Sequence, residues 1–292
     1  MKTQKQFQRR FSFEFFPPKT DKGVDKLHTV RDKLAEVNPD FFSVTFGAGG
    51  STREGTKNTV LELNKKGIST APHLSCVGSN KEIISELLDA YKEGGVERIV
   101  ALRGDIPSGM GNTGYGEMRY ANELVEFIRE HSGDHFSLEV AAYPEFHPQA
   151  PSAEADLVNF KRKVDAGANS AITQYFFNVE AYFYFIDRLE KMGVDIPVVP
   201  GIMPIVNYQN LIRFSDMCGA DIPRWIRKQL DAYGDDSESI QKFGEEVVTR
   251  MCEQLLDAGA PGLHFYSLNQ ADPTLKIWHN LGLSEETQKI AF

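Results

Sequence analysis

The sequence predicts an α/β fold: a single-domain (β/α)8, or TIM, barrel with extra helices between strands seven and eight. Three observations predict it. Eight short β-rich runs alternate with stretches of helical periodicity across 292 residues. No low-complexity segment or long Gly/Ser/Pro linker divides the chain. A doubly wound open sheet places a glycine-rich turn after its first strand, whereas here Phe15-Phe16-Pro17-Pro18-Lys19 stands in that place. The later stretch GAGGSTREG carries Thr52 where GxGxxG needs glycine. The expected plan is an N-terminal extension over 1–10 and a barrel over 11–292.

The predicted strands, in order, are FSFEFF (11–16), FFSVTF (41–46), STAPHLSC (69–76), RIVALRG (98–104), FSLEVAAY (136–143), SAITQYFF (170–177), IPVVPGI (196–202) and GLHFYSLN (262–269). Each is rich in β-branched or aromatic residues. Between them, Val24, Leu27, Arg31, Leu34 and Val37 keep a mainly apolar helical spacing, as do Ile83, Ile84, Leu87, Leu88 and Tyr91. Residues 203–261 are too long for one connection and predict two or three helices, one around PRWIRKQL and one carrying Ile240, Phe243, Val247, Met251 and Leu255. Asp272 followed by Pro273 reads as an N-cap and first helical residue, with Gly282 as the stop.

Composition narrows the function. Hydrophobic residues make up 41% and charged residues 25%, as in ordinary soluble globular proteins. The net charge of −9 argues against a nucleic-acid or anionic-membrane partner, both of which select basic surfaces. A local basic pocket for a phosphorylated small molecule remains open. The three cysteines, Cys76, Cys218 and Cys252, form no CxxC pair, which suits reduced thiols in a cytoplasmic protein. No apolar run approaches the ~20 residues of a membrane span, and no apolar stretch near the N-terminus reads as a signal peptide.

One stretch carries most of the chemistry. Along FSFEFF side chains alternate, so Phe11, Phe13 and Phe15 share the face that packs on helices, and Glu14 points into the barrel. Pro17 and Pro18 end the strand, placing Glu14 near its C-terminal end, where barrel enzymes keep their active sites. A carboxyl walled by aromatic rings is poorly solvated, and the expectation is a raised pKa and a neutral general acid. A structural ion pair with an arginine or lysine is the alternative, with about equal weight on this stretch alone. Thr45, His73, Arg103-Gly104-Asp105, Tyr143-Pro144-Glu145 and Gln174 fall at the same end of other strands. Together they favour a functional rim. The histidines show neither HxH nor HExxH spacing, and no GxSxG elbow is present. On ADLVNFKRKVDAG (155–167), Asp156, Asn159, Arg162 and Lys163 lie on neighbouring helical turns. By pattern they are either a solvated face or a cluster that grips a pyrophosphate.

FEFFPPK, SVTFGAGG, APHLSC, ALRGD, AAYPEFHP, NFKRKVDAGA, ITQYFF and HFYSLN, in this order and spacing from about residue 11 to residue 284, resemble the bacterial methylenetetrahydrofolate reductase family. The resemblance implies a barrel with non-covalent FAD that takes electrons from NADH or NADPH and reduces methylenetetrahydrofolate to methyltetrahydrofolate for methionine synthesis. Glu14 then matches the general acid, and Asp105 a charge beside flavin and folate that stabilises an iminium cation and tunes the flavin. Thr45, Phe46, Ala48, His73, Arg103, Gly104, Asp105, Ala121, Tyr143, His147, Ala150, Asp156, Asn159, Arg162 and Lys163 match cofactor positions, Thr45 being the one that contacts the nicotinamide nucleotide. On this view Arg162 and Lys163 become phosphate contacts. Glu14, Asp105, Gln174, Asn210, Phe214 and Gln270 match folate positions, with Phe214 at a stacking site shared by nicotinamide and folate. Phe46 stands where the family has tyrosine, Asn210 where glutamine is common, and Gln270 where arginine is common. The resemblance further implies a homo-oligomer, tetramer or dimer, and no regulatory domain for adenosylmethionine. The competing reading is a flavin-free barrel hydrolase or lyase using Glu14 with a second carboxylate. A third is a non-catalytic folate- or flavin-binding protein.

Overall fold

A computed structural model describes residues 1–46, 53–105 and 116–283. Its strands are β1 (Arg10–Phe15), β2 (Phe41–Val44), β3 (Thr70–Ser75), β4 (Arg98–Leu102), β5 (Ser137–Ala142), β6 (Ser170–Thr173), β7 (Val198–Val199), β8 (Gly201–Ile202) and β9 (Gly262–Tyr266). All pair in parallel, in the order β7-β6-β5-β4-β3-β2-β1-β9-β8. β7 and β8 are two halves of one barrel strand. Pro200 interrupts it because proline has no N–H to donate to the ladder, although its carbonyl accepts from His264 N at 2.9 Å. One half pairs with β6 and the other with β9, so the ring closes at the seven–eight seam as the sequence predicts.

The helices are α1 (Asp21–Ala35), α2 (Arg53–Lys65), α3 (Lys81–Glu93), α4 (Ala121–Ser132), α5 (Ala153–Asp165), α6 (Val179–Lys191), α7 (Tyr208–Cys218), α8 (Arg224–Tyr233), α9 (Ser237–Ala258) and α10 (Asp272–Asn280). Local chemistry starts several of them. Thr20, Asn80, Ser152 and Asp236 each accept a backbone N–H of the first turn, satisfying a donor the helix cannot pair itself. The expected insertion after strand seven is α7, α8 and α9. The expected cap at Asp272 moves by one residue: Ala271 is the N-cap and Asp272 already lies in α10. Asp272 Oδ1 instead accepts from Lys33 Nζ at 3.0 Å, tying α10 to α1.

Most predicted strands overrun at their C-terminal ends. The run 170–177 yields strand only to Thr173. Tyr175, Phe176 and Phe177 remain buried but leave the ladder. Apolar character there reflects packing of a loop above the barrel rather than strand pairing.

The main core lies between strands and helices. Phe11 and Phe13 pack on Trp278 of α10, with ring centroids 5.1 and 5.9 Å apart, and Phe15 stacks on Phe42. Burying each such ring contributes about 2 kcal/mol or more. Inside the barrel, Phe41, Ala71, Val100 and Ile172 form a smaller apolar plug. Arg98 pairs with Glu139, which also accepts from Ser170, and the guanidinium lies 4.7 Å from the Phe41 ring centre. The N-terminal residues are fixed to the barrel: buried Gln4 donates to Ile196 O and accepts from Val198 N, and Thr3 donates to Glu190.

Candidate active site

β1, β3 and β9 each send one side chain to a common point inside the barrel mouth. Glu14, 7% exposed, points inward as alternation requires. Its Oε2 lies 3.2 Å from His73 Nε2 and 3.5 Å from His264 Nε2. Both are close polar contacts, and neither Nε2 has another hydrogen-bond partner among the described residues. His264 Nδ1 is 2.7 Å from Ser12 Oγ, and the two residues are register neighbours on β9 and β1. Tyr266 stands edge-on to the His264 ring, with centroids 5.3 Å apart.

This surrounding reverses the expectation for Glu14. Burial pushes its pKa up, but the charges of His73 and His264 and hydrogen-bonding interactions with both rings pull harder, and the carboxyl is held to about 2. Glu14 is ionised in the free protein, not a neutral acid. The expected aromatic wall does line the outer face of β1, while the inner neighbours are imidazoles. Among the described residues no arginine or lysine pairs with Glu14 either; its partners are His73 and His264. No motif assigns a site role to Ser12 or His264. The usable signal was strand alternation, which puts His264 between the outward Leu263 and Phe265.

A cleft of about 640 Å³ opens across the ends of β4 and β5, the start of α4 and one side of α5 as far as its last turn. That size suits a small-molecule site. Arg103, Gly104, Asp105, Ala121, Tyr143, His147, Ala150, Asp156, Asn159, Arg162 and Lys163, scattered over 61 positions of sequence from 103 to 163, all line it. Among the described residues, no carboxylate lies within ion-pair distance of Arg103, Arg162 or Lys163. Lys163 Nζ donates to Ala141 O at 2.5 Å. Burial pulls its pKa down to about 8 although Asp156 opposes this, so the ammonium remains mostly charged at neutral pH. Asp156 Oδ2 accepts from His147 N at 2.9 Å, bracing the β5–α5 loop. Burial and the nearby Arg103 charge lower the His147 pKa. Its Nδ1 accepts from Gln149 N, leaving Nε2 as the protonated nitrogen of the neutral ring. Burial, with Asp105 and Asp156 nearby, pushes Tyr143 up to about 12, so it stays a neutral phenol.

The remaining candidates stand around this pair of features. Thr45 N donates to Phe15 O, joining the ends of β2 and β1, and Phe46 follows half-buried. Ala48 lies outside the described residues. Gln174, just past β6, is half-buried, and its Oε1 accepts from Tyr175 N. Asn210 and Phe214 are one turn apart on α7 and so face the same way. Asn210 is exposed, and Arg213 lies 5.1 Å from the Phe214 ring centre. Gln270 is exposed after β9. Neither Asn210 nor Gln270 lines the cleft. Among the described residues no group of three or more His, Cys, Asp or Glu is arranged to hold a metal ion. No helix among them is long and apolar enough to cross a membrane.

A closed parallel barrel with a buried carboxylate–imidazole cluster in its mouth, beside a cleft lined by three lysine or arginine and three carboxylate side chains, defines a barrel enzyme of small-molecule chemistry. The family model described as methylenetetrahydrofolate reductase matches residues 1–282. The 5,10-methylenetetrahydrofolate reductase of Escherichia coli (strain K12) is 41% identical over 279 residues, covering 95% of this chain and 92% of that protein. That of Buchnera aphidicola subsp. Schizaphis graminum is 42% identical over 273 residues, covering 93% and 91%. Methylenetetrahydrofolate reductase (NADH) 1 of Zea mays is 38% identical over 290 residues, covering 95% of this chain and 49% of the plant protein. Among solved structures, a Clostridium thermocellum protein described as binding two copies of 5-methyl-5,6,7,8-tetrahydrofolic acid superposes with a TM-score of 0.67 at 15% identity, covering 99% and 98%. At that identity the likeness shows the fold. The chain belongs to the methylenetetrahydrofolate reductase family.

Proposed function

We propose that the protein reduces 5,10-methylenetetrahydrofolate to 5-methyltetrahydrofolate, with FAD held in the cleft and NADH or NADPH as electron donor in a ping-pong cycle. The product would supply methyl groups for methionine synthesis. The observation that carries this reading is the Glu14–His73–His264 cluster at the barrel mouth, beside a cleft lined by Arg103, Arg162 and Lys163. The donor set fits a dinucleotide. Arg103, Arg162 and Lys163 would hold the pyrophosphate, and Tyr143, His147 and Asn159 offer hydrogen bonds along the same wall. Bound FAD would supply hydride transfer between the nicotinamide and the folate one-carbon unit.

The chain's own residues manage protons and charge. The one-carbon unit bridges two folate nitrogens, and protonating one of them opens the ring to an iminium cation. Glu14 is positioned to move that proton. With a pKa near 2 it does not store the proton itself. Oε2 lies beside His73 and His264, and Glu14 passes a proton on when bound folate shifts the balance of charge around it. Asp105, exposed at the lip, faces the developing cation with a negative charge. Gln174 and Phe214 would orient the folate, the latter by stacking. Asn210 and Gln270 would meet its outer parts, with Gln270 offering hydrogen bonds but no charge to a glutamate tail. The relatives named as NADH enzymes favour NADH.

Glu14→Gln tests the reading. The variant should copurify with flavin and be bleached by NADH as the wild type is, yet lose folate turnover by about a hundredfold or more. Wild-type protein that is colourless and takes up no FAD on reconstitution would refute the flavin assignment. Unchanged folate turnover in the variant would remove Glu14 from the chemistry.

A further inference from the structure

The carboxylate of Glu14 depends on where the end of β1 is held: the ladder with β2 runs on to Phe15–Val44, but the ladder with β9 ends at Glu14 itself. Register pairing of β1 with β9 stops at Glu14–Tyr266. Three and four residues on come Pro17 and Pro18, which have no N–H to donate. On the β2 side, Thr45 N still bonds Phe15 O at 2.9 Å. On the β9 side, side chains take over. Ser267 Oγ donates to Glu14 O at 2.5 Å. Asn269 Oδ1 accepts from Phe16 N at 2.9 Å, and Asn269 Nδ2 donates to Phe16 O at 3.0 Å. An asparagine amide carries an acceptor and a donor side by side, so it copies a missing strand neighbour. The Phe16 ring, 42% exposed, adds little anchoring of its own.

Reaching this position distorts the chain. Leu268 and Asn269 take φ of 51° and 54°, two left-handed residues in succession. Asparagine tolerates that region, whereas leucine rarely occupies it. Such backbone persists only where surrounding contacts hold it, and it gathers at functional sites.

We propose that Asn269 is a positioning residue for Glu14: with Ser267 it clamps the end of β1 and so fixes the direction of the Glu14 side chain. The proposal rests on the reading of Glu14 as the group that delivers the proton to folate. Released from the clamp, the β1 end rotates, and Oε2 moves away from His73 on β3 and from His264 on β9. Glu14 then titrates at higher pH, because burial still raises its pKa while the imidazoles lower it less.

Asn269→Gly is the informative variant. Glycine accepts a φ of +54° without strain, so the turn survives while the clamp is lost. Three quantities are measured together: melting temperature, the two half-reactions, and the Glu14 carboxyl titration by infrared or carbon-13 NMR, assigned with Glu14→Gln. The expected result is a native-like melting temperature, flavin reduction by NADH within about twofold of wild type, folate turnover down about tenfold to a hundredfold, and a Glu14 titration moved up in pH. Asn269→Asp keeps the acceptor for Phe16 N but loses the donor to Phe16 O, and should fall between. Wild-type folate turnover and an unmoved titration in Asn269→Gly would overturn the proposal. So would activity lost in both variants only in proportion to melting temperature, with the titration unmoved. Wild-type protein without folate turnover would instead defeat the functional reading, and the titration would still decide the clamp.

Discussion

Replacing Glu14 with glutamine should remove a stabilisation that belongs to the ionised side chain, and its size follows from the geometry. Burial alone would raise the carboxyl's pKa, yet His73 and His264, at 3.2 and 3.5 Å, bring it from 4.5 to about 2. At about 1.4 kcal/mol per pH unit, the folded state favours the carboxylate by about 3 kcal/mol. The folded pKa lies below the unfolded one, so this contribution is complete above about pH 4.5 and is lost as the pH falls toward 2. Glu14→Gln lacks it at every pH and leaves two buried imidazoles without an anion. The wild type should therefore be more stable than the variant by up to about 3 kcal/mol at neutral pH, the gap closing in acid. Urea unfolding of both proteins on a pH series reads the difference directly, and other carboxyl groups cancel from it. A gap that stays constant from pH 7 to the acid limit would refute the ion-pair account. A gap that widens in acid would mean that the carboxyl is neutral and its pKa raised.

Two further outcomes follow from other buried charges. Lys163 has its pKa pulled from 10.5 down to about 8, so its ammonium opposes folding below about pH 8 and that opposition fades as the pH rises toward 10.5. Lys163→Met should raise the melting temperature of flavin-free protein at pH 7 by a few degrees while lowering flavin retention on dialysis; a variant that melts lower and holds flavin normally would contradict this. Arg98→Met strips Glu139 of its cation and should cost about 3–5 kcal/mol in urea unfolding, whereas Arg98→Met with Glu139→Leu should recover most of it; a double variant no better than the single one would count against the pairing.

Much of the molecule is legible in one dimension. Alternation of apolar residues gives the strands, their outward phenylalanines and the inward Glu14, because a strand's side-chain period is fixed by its backbone. Helical spacing gives several of the helices, including α8 and α9 after strand seven, whereas the cap read at Asp272 falls one residue late. The rim residues, too, could be marked, since the C-terminal end of each strand can be counted off. The least reliable features are strand ends such as 174–177, where buried aromatic residues serve loop packing.

The linear pattern settles which side chains face inward and at which end; closure of the barrel settles what each then meets. Ser12 and His264 are 252 residues apart, and Phe16 and Asn269 are 253 apart; barrel closure makes them neighbours. The charge state of Glu14 turned on the same fact. Burial can be inferred from a run of phenylalanines, and it does raise the pKa, but the opposing imidazoles arrive from β3 and β9. Electrostatic energy depends on separations of a few ångströms through a medium of low polarisability, and no local stretch of sequence carries those distances.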